Sequence, residues 1–163
     1  MRALKCRTIP DINLASLERG EIQIVSAKST FARGRSVIVG IPGAFTPICT
    51  RKHVPDFIAN AQALRKAGYS QLVCIVPNDP FVLAEWARQL DPDEQIRFLS
   101  DGNLEFARAL GLQTANRDLF MTARSERYML IVDAGNIVSH RVEPEMMVYS
   151  CTRPGSLLNE VAV

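Results

Sequence analysis

Ile41-Pro-Gly-Ala-Phe-Thr-Pro-Ile-Cys-Thr-Arg-Lys-His-Val-Pro-Asp56 is the stretch on which the reading of this chain turns. It follows Ser36-Val-Ile-Val-Gly-Ile41, a nearly continuous apolar run of the kind that forms a strand buried on both faces. It precedes a helical pattern over Phe57 to Lys66, with Phe57, Ile58, Ala61 and Leu64 at helical spacing and Gly68 as a stop. Pro42, Gly43 and Pro47 mark a tight loop between the two. Pro47 suits the first turn of the coming helix, where its missing N–H is not needed. That puts Cys49 within the same turn.

The rest of the chain repeats the alternation. Gln71-Leu-Val-Cys-Ile-Val76 is a second apolar run, and Ile96 to Leu99 reads as a short strand. Arg127-Tyr-Met-Leu-Ile-Val132, the turn Asp133-Ala-Gly-Asn136 and Ile137 to Val142 read as a hairpin. A helix over Pro80 to Leu90 starts after the capping pair Asn78-Asp79, with proline just inside it. Another runs from Leu104 to Leu110 and ends at Gly111, and Pro154-Gly-Ser156 introduces a short C-terminal helix. Strands alternating with helices and closing on a hairpin make an α/β sheet with helices on both faces. The order fits a thioredoxin-like layout, a central mixed β-sheet flanked by helices, though periodicity does not select it over other α/β folds.

With 163 residues, 47% of them hydrophobic, and no repeat or long polar linker, residues 1–163 read as a single domain with a full core. Charged residues make up 22% and the net charge is +2. Neither sign dominates, which argues against a nucleic-acid or membrane-surface role. No apolar run reaches transmembrane length. The first ten residues lack the apolar core of a secretory signal, so the expected setting is reducing and cytoplasmic. None of the four cysteines, Cys6, Cys49, Cys74 and Cys151, stands in CxxC spacing, and only two histidines are present. A zinc site is poorly supported, and no metal or cofactor is expected.

In such a setting a cysteine is a buried hydrophobe or a reagent. Cys49 is the exception to look for, because a helix N-terminus offers unpaired N–H donors and partial positive charge that favour thiolate. Ionisation alone is a modest device. A free thiol is already a few per cent thiolate at neutral pH, so full ionisation raises the nucleophile only about 30-fold. A less basic thiolate is also a weaker nucleophile. Cleaving a bond such as O–O needs further groups that stabilise the charge developing on the leaving oxygen.

The string Gly40-x-Pro42-Gly43-Ala44-Phe45-Thr46-Pro47-x-Cys49-Thr50-x-x-His53-x-Pro55-x-Phe57 resembles the active-site signature of the peroxiredoxins. More narrowly it resembles the peroxiredoxin 5 (type II) subfamily of the AhpC/TSA superfamily. The likeness continues through Val76-x-Asn78-Asp79-Pro80-Phe81-Val82, Glu85-Trp86, Leu99-Ser-Asp101-Gly102-Asn103, Arg124-Ser-x-Arg127-Tyr128 and Val142-Glu143-Pro144. It covers nearly the whole chain, more loosely over the first thirty residues. The resemblance implies a thioredoxin-like fold and a thiol peroxidase acting on hydrogen peroxide and alkyl hydroperoxides. It makes Cys49 the peroxidatic cysteine, with Thr46 bonding the thiolate and the peroxide. Pro42 shields the site, and Arg127 supplies the cation. Amides between Ala44 and Cys49 complete the cradle. Arg124 would support the site. His53, four residues after Cys49, can face the same side and lines the pocket or a subunit contact. Phe45 and Phe120 are expected as wall or interface residues.

Attack on peroxide leaves Cys49 as sulfenic acid, which a second thiol must reset. Cys151, in Tyr149-Ser-Cys-Thr-Arg-Pro-Gly155, resembles in position the resolving cysteine of the animal peroxiredoxin 5 proteins. Glu145-Met-Met-Val148 departs from the glycine-rich spacer usual there. Two alternatives stay open: direct attack by glutathione, glutaredoxin or thioredoxin, and Cys74, which resembles the second cysteine of plant type II members. Cys74 otherwise reads as core packing, and Cys6 matches nothing. A non-enzymatic peroxide-sensing relay would use the same thiolate, and a thioredoxin-fold interaction module would use none. The resemblance further implies a homodimer packed through the active-site ends.

Overall fold

The computed structural model describes residues 3–161, and the side chains of residues 3–159. At its centre is β3 (Arg35–Gly40), buried from Ser36 onward. It pairs in parallel with β4 (Tyr69–Val76), which pairs in parallel with β5 (Arg97–Ser100). On its other side β3 runs antiparallel to β8 (Tyr128–Asp133), the first strand of a hairpin with β9 (Asn136–Val142). At the far edge β1 (Asn13–Glu18) and β2 (Glu21–Ser26) form a second hairpin, giving the order β2-β1-β5-β4-β3-β8-β9. This is the expected mixed sheet.

Alternate residues of the central strands feed two cores, as a pleated strand requires. Val37, Val39, Cys74, Val76 and Met129 face one layer, which contains Cys49, Phe57, Leu64 and Trp86. Ile38, Val73, Ile75, Tyr128 and Leu130 face the other, with Phe31 and Phe106. Burying Phe57 and Trp86 to 1% exposure or less contributes about 2–3 kcal/mol each. The first layer holds α2 (Val54–Ala59), α3 (Ala61–Lys66), α4 (Pro80–Leu90) and α6 (Ser156–Val161). The second holds α1 (Ala27–Thr30) and α5 (Glu105–Leu110).

The expected strands and α4 match within a residue or two. One helix differs. The single span expected over Phe57 to Lys66 starts earlier, at Val54, and is divided at Asn60, whose Nδ2 donates to the Asp56 carbonyl at 2.8 Å. A side-chain amide bonding the backbone competes with the helical ladder. The β1–β2 hairpin has no expected counterpart; its Glu21-Ile-Gln-Ile24 alternation puts Ile22 and Ile24 on an exposed face. Its signal was the two-residue turn Arg19-Gly20, both at positive φ (52° and 81°), the geometry hairpins prefer. A small ribbon, β6 (Gln113–Asn116) with β7 (Met121–Ser125), likewise has no expected counterpart.

Candidate active site

The loop after β3 delivers Cys49 to the end of the sheet. The helix begins at Pro47, and its first backbone bond runs from Thr50 N–H to the Thr46 carbonyl at 3.0 Å. Ile48 and Cys49 therefore sit in the first turn, where N–H groups have no intrahelical acceptor. From Cys49 to His53 the helix widens to a π turn, in which Val54 N–H donates to the Cys49 carbonyl. Pro55 explains the widening, since it has no N–H to give the Arg51 carbonyl.

Arg127, between β7 and β8, is 1% exposed and enters from the opposite element. Its Nη1 donates to Cys49 Sγ at 3.3 Å and lies 3.2 Å from His53 Nδ1. Its Nη2 donates to the Met146 carbonyl at 3.0 Å. The Nε–H is buried without a partner. His53 is fully buried and packs against Tyr149, with ring centroids 4.7 Å apart and the planes tilted by 36°. Burial first, then the Arg127 charge, lower its pKa to about 3, so the ring is neutral and Nδ1 accepts from Arg127.

Tyr128, the next residue, is fully buried in the other core layer. Its ring lies flat against Gly40, where a Cβ would come 2.0 Å from ring carbons. Only glycine permits that approach, which is what Gly40 contributes to the motif.

Thr46 Oγ1 donates to the Gly43 carbonyl at 2.7 Å, bracing the loop across its neck. Ala44 N–H is bound to Asn78 Oδ1 at 2.9 Å, so this amide is committed to the scaffold rather than to the expected cradle. Asn78 thus serves the loop, while Asp79 alone caps α4 through Phe81 and Val82 N–H at 3.0 Å each. Pro42 is buried beside the site. Arg124 is half-buried and donates to the Ala123 carbonyl, with its Nε near Gly43. Phe45 is half exposed and packs at 6.3 Å on Trp86, whose Nε1 donates to Thr50 Oγ1 at 3.2 Å. Phe120 is 94% exposed at the end of the β6–β7 connection.

The remaining cysteines separate clearly. Cys74 is fully buried in central β4, where burial pushes its thiol well above the ordinary value. It faces the same core layer as Cys49, and the two are not bonded. Cys6 is half-buried near the Ala109 carbonyl. Cys151 is exposed, on the segment between β9 and α6. That segment brings in residues that carried no role in the sequence: Met146 touches Arg127, and Tyr149 donates to Asp56 Oδ2. Glu143, seen only as part of a matching string, accepts five hydrogen bonds from residues 150–152. A surface groove along α4, lined by Arg65, Arg88, Asp91 and Phe98, includes none of these groups.

The redoxin family profile matches residues 7–149. Peroxiredoxin-2D of Arabidopsis thaliana is 34% identical over 136 residues, 83% of this chain and 84% of that protein. The chloroplastic peroxiredoxin-2E of the same plant is 37% identical over 131 residues, 78% of this chain and 56% of that protein. Among solved structures, reduced Prx3 of Vibrio vulnificus in complex with H2O2 superposes with a TM-score of 0.89 at 29% identity, covering 99% of both chains.

Proposed function

The chain belongs to the redoxin family, as a peroxiredoxin of the AhpC/TSA superfamily, and on that premise we propose how its residues divide the work. It is a thiol-dependent peroxidase, and the expected thioredoxin-like fold is the one observed. Cys49 acts as the nucleophile. The observation that carries this assignment is the 3.3 Å bond from Arg127 Nη1 to its sulfur, in a site from which water is excluded.

The Cys49 thiolate attacks the hydroxyl oxygen of the peroxide, the O–O bond breaks, and the alkoxide or hydroxide leaves, taking from solvent the proton that Cys49 released on ionising. Sulfur is oxidised to sulfenic acid, and the peroxide is reduced by two electrons. Arg127 holds the thiolate with Nη1 and keeps its charge throughout. Its unpartnered Nε–H and the second Nη2 hydrogen are donors for the peroxide oxygens. The Thr46 hydroxyl gives its hydrogen to the Gly43 carbonyl and keeps its oxygen to accept from the peroxide O–H, and the first-turn amides of Ile48 and Cys49 add donors. Pro42 keeps the sulfur dry. Hydrogen peroxide fits this compact site, by analogy with the Vibrio vulnificus complex, and the larger alkyl hydroperoxides would enter over half-buried Thr46.

Cys151 resolves the sulfenic acid as an intramolecular disulfide, and thioredoxin, glutaredoxin or glutathione then restores both thiols. Its exposure and its place on a segment packed against Arg127 support this over Cys74. We further propose a cytoplasmic homodimer. Phe45, Phe81 and Phe120, respectively 52%, 58% and 94% exposed, support an apolar contact at the active-site end.

The test is stopped-flow peroxide reduction followed through Trp86, the sole tryptophan, whose indole bonds the residue next to Cys49. Cys49→Ser should lose the signal and lower turnover at least about a thousandfold. Full peroxide consumption by that variant would overturn the assignment. Arrest of the wild type after one equivalent, with a thiol reductant in excess, would point to a relay instead.

A further inference from the structure

Glu143 holds the turn that carries Cys151. It follows β9 and is 3% exposed. Its Oε1 accepts the N–H groups of Ser150, Cys151 and Thr152 at 2.8, 2.9 and 2.9 Å, and the Thr152 hydroxyl at 2.8 Å. Its Oε2 accepts the Ser150 hydroxyl at 2.8 Å. Three consecutive amides on one carboxylate oxygen form a charge-assisted clamp. Burial alone would raise the carboxyl pKa, but the bonds from Ser150 and Thr152 bring it down to about 2. The clamp is therefore charged at any working pH.

The same turn is tied to the chemistry at two more points. Arg127 Nη2 holds the Met146 carbonyl at 3.0 Å, and Glu143 N–H donates to the Arg127 carbonyl at 2.9 Å. In this state Cys151 Sγ is exposed and rests 3.5 Å from the Val142 carbonyl, whereas Cys49 is fully enclosed. Neither sulfur is bonded to another. A disulfide requires the sulfurs to come within about 2.05 Å. The turn must leave its place before the bond can form. Burial and the Glu143 charge also push the Cys151 thiol up, which keeps it a poor nucleophile while it is clamped.

We propose that Glu143 is a positioning residue for the second half of the cycle, a latch whose release admits Cys151 to the oxidised Cys49. The proposal rests on the reading of Cys151 as the resolving thiol. Oxidation of Cys49 replaces the sulfur that Arg127 holds with S–OH. The guanidinium shifts, and with it the Met146 anchor of the turn. Cys151 sulfur then attacks Cys49 sulfur. The S–S bond forms, the S–O bond breaks, and hydroxide takes the Cys151 proton to leave as water. Overall one peroxide is reduced and two thiols are oxidised. A tight latch lengthens the life of the sulfenic acid and so exposes it to a second peroxide and sulfinic acid.

The experiment compares wild type, Glu143→Ala and Glu143→Gln after one equivalent of hydrogen peroxide. Sulfenic acid formation and disulfide formation are timed separately, and amide exchange is read at residues 150–152. Glu143→Ala should form the Cys49–Cys151 disulfide at least about tenfold faster, with faster exchange at those amides and sulfenic acid formation within about twofold of wild type. Glu143→Gln keeps an acceptor oxygen for the three amides and should stay nearer wild type. If Glu143→Ala does not fold, the pair Ser150→Ala and Thr152→Val removes two donors and should shift the same rates in the same direction. An unchanged or slower disulfide step in a variant whose amides exchange faster overturns the latch alone. Absence of any Cys49–Cys151 disulfide in wild type and variant overturns the resolving role of Cys151 and the latch with it.

Discussion

Arg127 and Cys49 are 78 residues apart in the chain and meet at 3.3 Å, with neither more than 1% exposed. One guanidinium nitrogen serves two partners, Cys49 Sγ and His53 Nδ1, while the other holds the Met146 carbonyl. The cation is thus fixed by the nucleophile, by a neutral ring and by the segment that carries Cys151.

A lysine cannot reproduce that fork, because an ammonium is a point charge on a flexible stem. Arg127→Lys is expected to lower kcat/KM for hydrogen peroxide by about 10²–10³-fold while leaving the fold intact. Initial rates with excess reductant, alongside circular dichroism, check it. A loss below threefold would mean that bidentate geometry is not used.

Thr46 offers a cleaner deletion. Thr46→Val keeps the shape, removes the bond to the Gly43 carbonyl and costs about 1 kcal/mol of stability. Peroxide reduction should fall by about 10–100-fold, with Thr46→Ser retaining most of it. Equal activity in both variants would reduce Thr46 to a brace.

His53 predicts acid lability of a defined sign. Its pKa is lowered in the fold from 6.5 to about 3, so the unfolded chain binds a proton that the folded chain does not within that window. The stability from this group is fully present above pH 6.5 and is lost as pH falls toward 3, by about 1.4 kcal/mol per pH unit. Glu143, lowered from 4.5 to about 2, adds a loss of the same sign as pH falls from 4.5 through 2. Urea unfolding between pH 5 and 8 should show the His53 slope in wild type. His53→Asn, which offers an acceptor but does not titrate there, should flatten it.

The proposed dimer gives a fourth expectation. Phe120→Glu places a charge on the most exposed apolar side chain described, and sedimentation should shift from dimer to monomer. A wild-type monomer at tens of micromolar would remove the interface proposal without touching the chemistry of Cys49.

Much of this was legible in one dimension. Continuous apolar runs marked β3, β4 and β8, since strands buried on both faces leave no polar alternation. Asp79 and Pro80 fixed the start of α4. The motif around Cys49, with Thr46 and Arg127, pointed to the chemistry through its resemblance to the peroxiredoxin signature. The β1–β2 hairpin was missed although Glu21-Ile-Gln-Ile24 alternates, and its isoleucines face outward rather than onto a core. The π turn was also hidden, since it arises from Pro55 acting on a helix that has already begun.

By itself, then, the sequence determined the α/β alternation through local patterns, and pointed to the nucleophile and its class of reaction through its likeness to the peroxiredoxins. Tertiary structure alone decided what surrounds them. His53 became a neutral acceptor because burial and Arg127 both penalise its proton. Cys74 and Cys151, similar as letters, were separated by a central strand and an exposed turn. Glu143 acquired its role only when the chain folded back to bring three amides onto its carboxylate. Such groupings depend on contacts between distant elements, and no spacing along the chain encodes them.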